Sequence, residues 1–154
     1  MAKGFWLVKT EPEVYSIDDL RRDRVTAWDR VRNHQAKLSL RDGMRDGDRV
    51  LVYHSNAQPT GVVGIAVVEG DAIADETQFR KGDEAFEPRA TRESPVWWAR
   101  QLRFESRFGA CVELAHLRSE PALAGMKLLV RGNRLSVLPV TRAEFERIER
   151  MGNR

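Results

Sequence analysis

The chain has 154 residues, 42% of them hydrophobic and 32% charged. That composition is globular rather than disordered, and the length suffices to bury a core without disulfide or metal. The formal net charge of +3 is too small to establish a nucleic-acid partner on its own.

The charge is unevenly spread. The first 77 residues carry 11 basic and 13 acidic side chains, and the rest carry 15 and 10, with Arg dominating the basic set. Arg favours planar, bidentate contacts with phosphate or carboxylate. The lone cysteine, Cys111, excludes an internal disulfide and a cysteine-clustered zinc site. It points to a reducing compartment, and the cytoplasm is the expected location. The N-terminal apolar run is too short for a signal peptide, and no apolar stretch reaches the roughly 18 residues of a membrane span. No linker, repeat or low-complexity segment divides residues 1–154, which read as one domain.

In chain order, GFWLVK (4–9) is aromatic and β-branched and predicts a strand. Ser16, followed by Asp18 and Asp19, reads as a helix N-cap with acidic residues in the first turn. Trp28 to Asn33 leads into a helix over 33–42 closed by Gly43. Residues 45–48 form a turn, and RVLVYHS (49–55) and GVVGIAVVE (61–69) read as successive strands. Segment 70–95 is polar loop with a helical turn near 77–79. Further expectations are a long strand over 96–108, a short helix over 112–119 and a short strand over 134–137. Thr141 and Glu144 form a capping box opening a helix that carries Phe145, Ile148 and Met151 on one face. The strands at 49–55 and 61–69 are too close for a crossover, so they pair antiparallel. The fold class is α+β, with a curved antiparallel sheet or small barrel surrounded by helices.

Several chemistries are absent. There is no dinucleotide fingerprint, P-loop or H-E-x-x-H. His34, His54 and His116 are not at ligand spacing, so no metal or cofactor is expected. His54 and Ser55 are strand neighbours that face opposite ways, which excludes a Ser–His dyad. Cys111 reads as a plain buried thiol.

Aromatic rings stand beside amides, hydroxyls and cations in three places: Trp6 with Lys9 and Thr10, Trp28 with Arg32 and Asn33, and Tyr53-His54-Ser55-Asn56. A captured nucleobase needs this mixture: rings to stack on, polar groups to read its edge, cations for phosphate. Trp6 and Tyr53 fit a core equally well. Trp28 differs because its neighbours are polar except Val31, which suits a pocket wall. Of Trp97 and Trp98, one faces the core, and neither is assigned to a site.

K-T-E-P (9–12), W-D-R-V-R-N (28–33), Y-H-S-N (53–56) and R-G-N-R-L-S-V (131–137) occur in this order within a pattern running from about 4 to 148. On these blocks the chain resembles the EVE domain family. The resemblance implies a PUA-like fold and, through similarity to YTH domains, an aromatic cage for a modified base of DNA or RNA, 5-methylcytosine-type marks among them. It implies Trp28 as a cage wall and Asn33 as an edge reader, with Arg32 and His34 beside them. Tyr53, His54, Ser55 and Asn56 would supply a second wall and further hydrogen bonds. Lys9 and Ser16 would lie near the same mouth, and Arg134 would contact phosphate. Position 34 is His where the family more often has Tyr; a His can both stack and donate a hydrogen bond, so a different pocket preference is expected there.

Three readings follow. The leading one is a non-catalytic module that recognises a methylated-type base in nucleic acid. The second is an enzyme acting on a modified nucleobase or nucleotide, with Asp29, Arg32 and His34 as acid–base groups against the plainer role of Asp29 as a cap or ion-pair member. The third is an interaction protein whose Arg-rich C-terminal half meets a protein partner.

Overall fold

The fold is seen in a computed structural model that describes residues 4–153. Its elements are β1 (Phe5–Thr10), α1 (Ile17–Asp23), β2 (Val25–Trp28), α2 (His34–Leu38), β3 (Arg49–His54), β4 (Gly61–Ala74), β5 (Trp98–Glu113), α3 (Leu114–Ser119), β6 (Val137–Pro139) and α4 (Arg142–Gly152). The six strands form one sheet in the order β2-β5-β4-β3-β1-β6.

The α+β class holds, with one correction. The sheet is mixed and open rather than an antiparallel barrel, because β1 and β3 run parallel, Leu7 beside Leu51 and Lys9 beside Tyr53. Parallel neighbours need a long crossover, and residues 11–48, carrying α1, β2 and α2, supply it. The β3–β4 and β4–β5 pairs are antiparallel as expected.

Local chemistry explains the helix starts. Ser16 Oγ accepts from the Asp19 amide while Asp19 accepts from the Ser16 amide, a capping box that satisfies two otherwise orphan donors. Thr141 and Glu144 do the same for α4. The predicted 33–42 helix is split: α2 gives way to a π-helical turn over Ser39–Gly43. Gly43 serves close packing rather than a left-handed cap, since a Cβ there would lie 2.7 Å from the Trp6 ring. Trp6 itself is anchored structurally, its indole N–H donating to buried Asp48 at 3.0 Å.

The sheet separates two cores, because neighbours on a strand face opposite ways. Leu7, Leu51, Tyr53, Ile65 and Leu138 join Phe108, Phe145 and Ile148 in the α3/α4 core. Val8, Val50, Val52, Ala66 and Val137 join Ile17, Leu20, Leu40 and Trp28 in the α1/α2 core. Hence VLVY (50–53) is buried without alternation.

The α4 end of the first core is packed to contact. A Cβ built on Gly152 falls 2.3 Å from the Phe108 ring. Gly152→Ala is expected to cost about 1–3 kcal/mol through overpacking. A denaturant melt checks this, with the midpoint lowered relative to wild type.

Candidate functional site

A cavity of about 480 Å³ opens where the end of β1, the segment before α1, β2 and the loop after β2 meet. This lies within the range of small-ligand sites. Trp28 ends β2 opposite Arg100 of β5 and is 8% exposed. It closes the α1/α2 core and also walls the cavity. Tyr15 meets it edge-on, ring centroids 6.2 Å apart at 87°. Tyr15 is held from both ends: its carbonyl accepts from Thr10 Oγ1 at 2.8 Å and its hydroxyl donates to Asp23 at 2.8 Å. Val14, an apolar side chain 72% exposed, stands among the lining residues.

The loop after β2 owes its shape to Asp75, whose carboxylate is fully buried. It accepts from the Arg30 amide at 2.7 Å, from Arg32 Nη1 at 2.9 Å and from the Thr77 amide at 2.8 Å. Burial alone would raise its pKa. The bonds from Arg32, Thr77 and the Arg30 amide outweigh that and hold it below the usual carboxylate value. Arg30 sits at φ 64°, a left-handed conformation costly for a residue with a Cβ. Its backbone bond to Asp75 and a two-pronged pair with Asp83, both contacts 2.9 Å, keep it there. Strained backbone held by surrounding structure is typical of functional loops.

Asp29 lines the cavity beside Trp28 and forms no ion pair among the described residues. Burial first, then the charge of Asp75, pushes its carboxyl pKa up. Burial pushes the Lys9 ammonium down. The cavity thus presents a half-buried acceptor between aromatic walls, with Lys9, Arg30 and Arg32 on its lining.

The structure separates the other predicted residues. Lys9, Trp28 and Arg32 share this cavity. Tyr53 lines a different one of about 460 Å³, which also includes Lys9. His54 lines a third, and its Nε2 accepts from the Ile17 amide at 3.1 Å, finishing the N-terminus of α1. Burial lowers the His54 pKa, in keeping with a neutral, accepting ring. Asn33 caps α2, its side chain accepting from the Ala36 amide at 3.0 Å. Ser16 caps α1. His34 stacks on Trp97 at 4.8 Å, and Arg32 lies over the same indole at 5.1 Å. The Ser55 amide donates to the Thr10 carbonyl, and Asn56 donates to Glu11 at 2.7 Å from a left-handed φ of 50°. Arg134 is exposed and unpaired among the described residues. Sequence reasoning did not place Tyr15, Thr26, Ala27 or Ser136 in the cavity; the aromatic Tyr15 three residues past K-T-E-P was the available signal.

Two variants test the loop's electrostatics. Asp75→Ala strands Arg32 and two amides, and about 2–4 kcal/mol of stability should be lost. Because the folded pKa of Asp75 is depressed, its contribution is present above the ordinary carboxylate value near 4 and fades as pH falls through the lower folded value. The Asp29 shift has the opposite sign, so its carboxylate costs stability at neutral pH. Asp29→Asn should therefore raise the melting temperature at pH 7, by a margin that shrinks as acid protonates wild-type Asp29. Melting curves from about pH 2 to 8 check both, the Asp75 effect below about pH 4 and the Asp29 effect above it.

The EVE domain model matches residues 4–151. Rat thymocyte nuclear protein 1 is 36% identical over 93% of this chain and 71% of its own length. A hypothetical protein from Leishmania major superposes with a TM-score of 0.92 at 40% identity, covering 98% of this chain and 95% of that one. Human THYN1 protein, solved in complex with 5-methylcytosine-containing DNA, superposes with a TM-score of 0.90 at 32% identity over 99% of both chains. The chain belongs to the EVE domain family.

Proposed function

We propose that this protein binds nucleic acid and takes one modified base of the 5-methylcytosine type, turned out of its stack, into the Trp28 cavity without transforming it. One observation carries the reading. A ring-walled cavity with an unpaired carboxylate sits in a chain that aligns end to end with a relative solved on 5-methylcytosine-containing DNA. Residues 4–151 act as one EVE unit in this reading, with a reducing compartment such as the cytoplasm suiting the single, half-buried Cys111.

Trp28 and Tyr15 supply the stacking and edge contacts. Stacking contributes about 1–3 kcal/mol per base, and a methyl buried against a ring adds about 0.8 kcal/mol. Asp29 accepts from the exocyclic amino group, the contact by which carboxylates read cytosine. A thymine-type edge places a carbonyl there and meets repulsion instead. Lys9 faces the flanking backbone, while Arg30 stays on its pair with Asp83. Arg32, committed to Asp75, positions the loop rather than the base. Asn33 and Ser16 act through the helices they cap.

The raised Asp29 carboxyl is the one feature that favours the enzyme reading, since acid–base groups are often so tuned. Incubation with 5-methylcytosine nucleosides followed by mass spectrometry separates the two: unaltered nucleoside supports the binding reading, and released base or ammonia supports turnover.

Binding titrations with matched oligonucleotides test the cavity. Trp28→Ala should erase the preference for 5-methylcytosine over cytosine, roughly a 4- to 10-fold ratio if methyl burial and ring contact set it. A folded Trp28→Ala protein with the wild-type ratio would place recognition elsewhere.

A further inference from the structure

The R-G-N-R block builds a surface that the base cavity does not use. Arg131, Gly132 and Asn133 wall the second cavity, of about 460 Å³, with Tyr53, Lys9 and Arg118. Asn133 fixes this turn by donating to the Lys127 carbonyl at 2.8 Å and accepting from the Leu135 amide at 2.9 Å, and Gly132 takes the left-handed φ of 84° that the turn requires. Lys9 lies 5.9 Å from the Tyr53 ring centroid.

The lining charges are what set this cavity apart. It has three cations and no carboxylate. The cavity at Phe5 balances its arginines with Glu146 and Glu149, that at His54 holds the Asp18–Arg107 pair, and that at Trp28 contains Asp29. Neither Arg118 nor Arg131 forms an ion pair among the described residues. Lys9 is half-buried and forms no ion pair among the described residues, a position that an anion relieves.

The cavity also adjoins the proposed base site, since Lys9 lines both. Lys9, one residue before the end of β1, thus lies on the path from a nucleotide at Trp28 to this second cavity. Val130, 55% exposed, and Tyr53 add apolar surface of the kind a sugar contacts and inorganic phosphate does not need.

We propose that the Tyr53–Arg118–Arg131 cavity is a phosphodiester subsite, holding the backbone of a nucleotide next to the one taken up at Trp28. This rests on the base-binding reading for its neighbour but not for its own anion chemistry. Arg134, on the same turn, reaches the same backbone from outside.

The test uses a ten-nucleotide single-stranded DNA with one 5-methylcytosine, titrated by fluorescence anisotropy across a salt series. The variant is Arg118→Gln with Arg131→Gln, both exposed positions. Each phosphate contact contributes about 0.7 to the slope of log affinity against log salt for single strands. The double variant should flatten the slope by about 0.7–1.4 and weaken binding several-fold in low salt, with the 5-methylcytosine-to-cytosine ratio unchanged. 5-Methyl-2′-deoxycytidine, which has no phosphate, should bind wild type and variant alike. The charge-matched control, Arg41→Gln with Arg92→Gln, removes arginines already paired to Asp42 and Glu76 and should leave the slope in place. An unchanged slope in the first variant, or equal flattening in the control, overturns the subsite. Inorganic phosphate that displaces the oligonucleotide from wild type no better than chloride of equal ionic strength supports a polymer backbone over a free-anion site, and selective displacement at micromolar phosphate overturns it. If the slope flattens while Trp28→Ala keeps the methyl preference, the base assignment fails and the phosphate subsite stands.

Discussion

The buried carboxylate of Asp75 is the constraint on which the site depends. Two segments meet on it: the loop after β2, through the Arg30 amide and Arg32 guanidinium, and its own turn after β4, through the Thr77 amide. A buried charge is tolerated only when paired and hydrogen-bonded, and this one is both. It holds Arg30 in a left-handed conformation and so fixes Asp29, one residue earlier, on the cavity lining. The Coulombic effect of the same carboxylate then helps keep Asp29 reluctant to ionise. Asp75 thus shapes the cavity wall and adds to the burial that governs Asp29.

The sheet divides the remaining work. Because β1 and β3 are buried on both faces, Trp28 and Tyr53 belong to different cores and line different cavities. Aromatic surface is therefore not pooled in one cage around 28 and 53. One cavity combines rings with an acceptor, which suits a base. The other combines a ring with cations alone, which suits a backbone. Lys9, one residue before the end of β1, belongs to both.

Much of the architecture was legible in local signals. The buried run at 50–53, the capping boxes at Ser16 and Thr141, and the 3.6-residue spacing of Phe145 and Ile148 act within a few residues and survive folding. The parallel β1–β3 pair was not legible, since pairing across forty residues leaves no local periodicity. Strand β2 escaped because four residues between charged runs carry no alternation worth reading. At the site, Trp28 stood out through its polar neighbours, whereas Asp75 did not: an Asp in a polar segment reads as solvated, and only tertiary burial reveals it. Asn33, Ser16 and His54 carried the expected polar groups, but helix ends claim them first, because unsatisfied amides are costlier than unfilled pockets.

The central claim is that the methylated base lies against the indole of Trp28. Intermolecular nuclear Overhauser contacts from the 5-methyl protons of a bound oligonucleotide test it most directly. Cross-peaks to the ring protons of Trp28 and Tyr15 are the predicted result. Cross-peaks confined to the Tyr53 ring, or to Trp97 and Trp98, would contradict it.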